Sequence, residues 1–98
     1  MTSWLFTASA DRDLADILDY AAEHQRDPSV HELMEAMLDQ IELIAAHPLA
    51  FPSGMRGLRH SVMSRLPYRF SYSFNADIDR VCIMAITHTR RALPRTPD

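Results

Sequence analysis

The sequence predicts an α+β domain in which a helical hairpin packs on one face of a small, mostly antiparallel sheet, in the order β-α-α-β-β-β. Three observations carry this. Two stretches of the N-terminal half place apolar residues at helical spacing with only a few residues between them, so the helices must run antiparallel. From Tyr68 to Asn75 aromatic and polar residues alternate strictly, the period of a half-buried strand. Residues 81–86 (VCIMAI) are apolar throughout, as in a strand central in a sheet or covered on both faces.

Taken in order, Ser3 to Ala8 reads as a first strand and Ser9 as the cap of a helix whose first turn carries Asp11 and Asp13, favourable beside the positive end of the helix dipole. Leu14, Ile17, Leu18 and Ala21 give that helix one apolar face. Asp27-Pro28 restarts the pattern, with aspartate as cap and proline at the first helical position. Val30, Leu33, Met34, Met37, Leu38, Ile41, Ile44 and Ala45 continue it to His47-Pro48, where the residue before proline is forced out of helical geometry. A loop rich in proline and glycine leads to strands at Leu58 to Ser64, Tyr68 to Asn75 and Val81 to Ile86. Ninety-eight residues make a single domain, residues 1–98.

Charge divides the chain. Up to Gly54 there are two arginines against ten carboxylates; from Met55 onward there are eight arginines against three, and no lysine occurs anywhere. A basic surface on one side is the usual footprint of an anionic partner. No apolar run reaches the roughly 18–20 residues of a membrane span, and a cytoplasmic protein is expected. The lone Cys82 reads as a buried strand residue, and the histidines show no metal-ligand spacing, so neither metal nor cofactor is expected.

The element order, Ala10, Asp13-Leu14, Ile17 and Tyr20 in the first helix, Pro52, Gly54 and Arg56-Gly57-Leu58-Arg59 in the linker, Pro67-Tyr68-Arg69 with Tyr72, and His88-Thr89-Arg90-Arg91 at the end together resemble the ParE/RelE superfamily of type II toxins, and within it the ParE branch. The resemblance covers nearly the whole chain. It implies a toxin held in a heteromeric complex by a cognate antitoxin, ParD-like or of another class. The residue pattern agrees in part, since a small sheet with an exposed edge and a basic face can take a strand or helix from an acidic partner.

Within the superfamily one branch cleaves mRNA on the ribosome, whereas ParE-type members poison DNA gyrase. Cleavage by the 2′-hydroxyl requires a base, an acid and cations converging on one phosphate. If the chain were such a nuclease, Arg59, Arg65, Arg69, His88 and Arg90 would be the candidate catalytic groups. The resemblance argues otherwise: Thr89 follows His88 where His-Tyr-ending nucleases carry tyrosine, no tyrosine follows Tyr72, and the lysines used by RelE are missing. The expectation is therefore a non-enzymatic gyrase poison contacting target or antitoxin through Arg59, Arg69, His88, Arg90 and Arg91. Arg59 has an equal claim as the partner of a helix carboxylate, and Tyr68 and Tyr72 belong to the core register. An inactive or orphan interaction domain is the third reading, because fold does not fix function.

Overall fold

A computed structural model describes residues 2–24 and 29–89. Strand β1 (Ser3–Phe6) leads into helix α1 (Ala8–His24), which is followed by α2 (Val30–Ala46), a single 3-10 turn (Met55–Gly57), and strands β2 (Arg59–Val62), β3 (Tyr68–Asn75) and β4 (Arg80–His88). The sheet order is β1-β4-β3-β2. β1 runs parallel to β4, and the other pairs are antiparallel. The predicted β-α-α-β-β-β order and the mostly antiparallel sheet are both present.

Strand β1 is shorter than predicted, and Thr7 rather than Ser9 starts α1. The Thr7 amide completes the ladder by donating to the Ile83 carbonyl at 3.0 Å, and its hydroxyl oxygen then accepts from the Ala10 amide at 3.1 Å. One residue thus closes the strand and caps the helix. The start of α2 is also displaced. Ser29 is its cap, in a reciprocal capping box: Ser29 Oγ accepts from the Glu32 amide at 3.2 Å and Glu32 Oε1 accepts from the Ser29 amide at 3.0 Å. Asp27 and Pro28 lie outside the described residues. The far end of α2 falls where Pro48 requires, with His47 as C-cap.

The helices cover one face of the sheet only. Ala10 of α1 and Leu33, Met37, Ile41 and Ile44 of α2 meet Phe70, Tyr72, Val81, Ile83 and Ile86 in the core. Of the two expectations for β4, a central place in the sheet is the one met; among the described residues no helix packs on its second face, where Cys82, Met84 and Ala85 are half-buried. A bulge keeps the core in phase. Ser71 pairs with Ala85 and Tyr72 with Ile83, so Met84 has no opposite number, and Ile86 returns to the face of Ile83. The Ile86 amide donates to Asp13 Oδ2 of α1 at 3.0 Å, just where β1 has ended and no strand lies alongside β4.

Candidate functional site

The loop after α2 is strapped to the end of the sheet by the residues the sequence singled out. Arg59 pairs with Tyr72 across β2 and β3, which places both on the helix-covered face. Tyr72 Oη donates to the Pro48 carbonyl at 2.6 Å, and Arg59 Nη1 donates to the Phe51 carbonyl at 2.7 Å. Arg59 therefore finds main-chain oxygens of this loop where a helix carboxylate was the alternative. Burial pushes the Tyr72 phenol above its ordinary value, and the Arg59 charge acts against that rise. The strap turns sharply at Arg56 and Gly57, both in the left-handed region with φ of 61° and 73°. At Gly54 a Cβ would stand 2.9 Å from His60 Nε2, so only glycine leaves room for the ring.

Arg69 lies on the other side of the sheet. It pairs with Val62 and Thr87 and is exposed on the uncovered face. Ser3, Ser71, Ser73 and Ala85 share this face with Leu5, Val62 and Cys82. His60 stands there too, its Nδ1 3.0 Å from Ser71 Oγ. Arg80 is a further cation of this face that sequence reasoning passed over, with its Nε donating to Ser3 Oγ at 3.3 Å. The inward register of Val81 and Ile83 was the available signal, since it turns Arg80 outward. Arg69 and Arg80 lie at opposite ends of the paired strands, roughly 20 Å apart along them.

Of the remaining candidates, His88 and Arg65 lie among the described residues. His88 pairs with Tyr68 on the helix-covered side of the sheet, its ring edge-on to the tyrosine at a centroid distance of 5.3 Å. Arg65 is exposed in the turn before β3, lining a cleft with Ser64, Pro67 and Thr89. Arg90 and Arg91 lie outside the described residues. Among the described residues no three His, Cys, Asp or Glu side chains are grouped to hold a metal ion, and no helix is long and apolar enough to cross a membrane. The charge division seen in the sequence becomes spatial. Helices α1 and α2 carry acidic residues along their length with Arg12 as their only arginine, while Arg69 and Arg80 mark the opposite face.

A helical hairpin on one face of a four-stranded mixed sheet is a fold that this chain shares with chains of solved structures. The fold matches a chain of the chromosomal ParDE toxin–antitoxin system from P. aeruginosa with a TM-score of 0.63 at 20% identity, covering 90% of this chain and 96% of that one. It also matches a chain of the toxin–antitoxin complex RelBE2 from Mycobacterium tuberculosis with a TM-score of 0.61 at 22% identity, covering 89% and 96%. Comparison with curated protein sequences finds no match. The family profile described as ParE toxin of type II toxin-antitoxin system, parDE, matches residues 5–93. The chain belongs to the ParE toxin family, and is the toxin component of a type II toxin–antitoxin system.

Proposed function

We propose that this toxin acts by binding DNA gyrase or a gyrase–DNA complex, without cleaving RNA, and that a cognate antitoxin neutralises it in a heteromeric complex. The observation that carries the reading is the separation of three of its candidate groups, Arg59, Arg69 and His88. RNA cleavage needs an acid–base pair and cations within hydrogen-bond reach of one phosphate. Here Arg69 projects from the uncovered face, whereas His88 packs against Tyr68 on the other side of the sheet and Arg59 is engaged with the loop. Arginines spread along one face, as Arg69 and Arg80 are, suit a broad acidic protein surface or a phosphate backbone better than a single reacting phosphate.

The test uses purified gyrase and supercoiled plasmid. Stoichiometric toxin is expected to block supercoiling or trap cleaved DNA, and Arg69→Glu with Arg80→Glu to weaken the effect at least tenfold. Supercoiling untouched by excess wild-type toxin, with ribosome-bound mRNA cut in a parallel reaction, would overturn the reading.

A further inference from the structure

The uncovered face of the sheet differs in composition from the rest of the molecule. Among the described residues its strand positions carry Arg69, Arg80 and His60 with a series of hydroxyls, and neither a carboxylate nor a Phe, Tyr or Trp. The register accounts for the rings: Trp4, Phe6, Tyr68, Phe70, Tyr72 and Phe74 all fall on the helix-covered side. Asp77 and Asp79 stand in the turn from β3 to β4, at the Arg80 end. The other end is the more cationic. There Thr87 lies opposite Arg69, and the turn between β2 and β3 adds Arg65, which lines a cleft of roughly 420 Å³ with Ser64 and Thr89. Arg65, Arg69, Thr87 and Thr89 are all exposed.

This composition narrows what the face fits. A single nucleic-acid strand is held by stacking its bases on aromatic side chains, and the strands offer none on this side. A protein partner is held by apolar anchors buried at the centre of the interface. Here the centre is Ser71, Ser73, Cys82 and Ala85, while the exposed aliphatic side chains Leu5 and Val62 stand on the two outer strands, β1 and β2. A duplex backbone needs neither rings nor anchors. Its phosphates recur at about 3.4 Å per strand along the axis, so the roughly 20 Å between Arg69 and Arg80 spans about six of them. Arginine and hydroxyl donors are the groups that contact such a backbone. The same polyanion repels the acidic helices, which turns the sheet face toward it.

We propose that the uncovered face is a contact surface for the sugar–phosphate backbone of duplex DNA, with Arg65, Arg69 and Arg80 each on a phosphate and the serine and threonine hydroxyls between them. Contacts of this kind fix position without reading base sequence. The inference deepens the gyrase reading and rests on it for the source of the duplex, the DNA segment that the enzyme holds. The chemistry of the face does not depend on that source.

The experiment follows the anisotropy of a fluorescein-labelled duplex of about 20 base pairs as the full chain is added, at salt from about 50 to about 200 mM. Three neutralised phosphates predict that log K falls against log salt with a slope of about −2.7. Arg65→Gln and Arg69→Gln should each lower that slope by about 1 with an unchanged urea midpoint, whereas Asp39→Asn and Glu42→Gln, on exposed positions of α2, should leave it as it is. A single strand of the same length, and a polyglutamate peptide of similar charge used as competitor, are expected to bind at least tenfold more weakly. No duplex binding at the lowest salt, a slope unchanged in both arginine variants, or equal binding of the single strand or polyglutamate would overturn the proposal. Gyrase supercoiling is read in parallel. Duplex binding by a chain that leaves gyrase untouched keeps the DNA face and removes the gyrase reading, and inhibition of gyrase by a chain that binds no duplex removes the DNA face alone.

Discussion

Replacing Tyr72 with phenylalanine tests how the loop is held, because it removes one oxygen and leaves the ring in the core. The Tyr72 side chain is fully buried, and its hydroxyl donates to the Pro48 carbonyl at 2.6 Å. The lost hydrogen bond and the carbonyl left without its donor together cost about 1–2 kcal/mol. For a chain of this length that corresponds to a fall in Tm of roughly 5–15 °C. The pH dependence is sharper still. The folded phenol titrates above its ordinary value of 10.0, so the folded state holds this proton where the unfolded chain releases it. The contribution is fully present below about pH 10 and is lost as pH rises through the raised folded value, since stability falls wherever the unfolded state binds fewer protons. Urea unfolding of wild type and Tyr72→Phe, followed by Trp4 fluorescence from pH 7 to pH 11, should show a gap that is constant at neutral pH and closes in alkali. A variant as stable as wild type at pH 7, or a gap independent of pH, would refute the reasoning.

Three other substitutions probe the remaining supports. Asp13→Ala removes the acceptor of the Ile86 amide beside the bulge and should destabilise by about 1–3 kcal/mol in urea, while Asp13→Asn, which keeps an acceptor oxygen, should cost less. Ser29→Ala dismantles the capping box and should lower stability by about 1 kcal/mol, read as a shift of the urea midpoint with unchanged m-value. Gly54→Ala pushes a methyl group into the His60 ring and should break its contact with Ser71, visible as displaced imidazole resonances of His60.

Much of this arrangement was legible from local pattern. The Tyr68 to Phe74 alternation names the core side of β3, and Pro48 ends α2, because each depends on neighbours in the chain. What was missed depends on distant ones. Nothing within VCIMAI marks Met84 as the extra residue; the bulge is set by pairing with β3, and α1 supplies Asp13 to the amide two residues beyond it. The side of the sheet that Arg59 takes follows from its register opposite Tyr72, and its partners are carbonyls of a loop whose path the sequence does not show. The cap of α2 is a different case. Ser29 with Glu32 three residues on is a readable signature, and Asp27-Pro28, an equally good local signal two residues earlier, competed with it.

The central claim is that the uncovered arginine face serves gyrase binding and not RNA cleavage. The most direct measurement follows labelled thymidine and labelled amino-acid incorporation in bacteria during the first minutes after tightly controlled induction. DNA synthesis is predicted to stop while translation continues, and Arg69→Glu with Arg80→Glu to relieve the arrest. Translation stopping first would contradict the account and return His88 and the sheet arginines to the list of catalytic candidates.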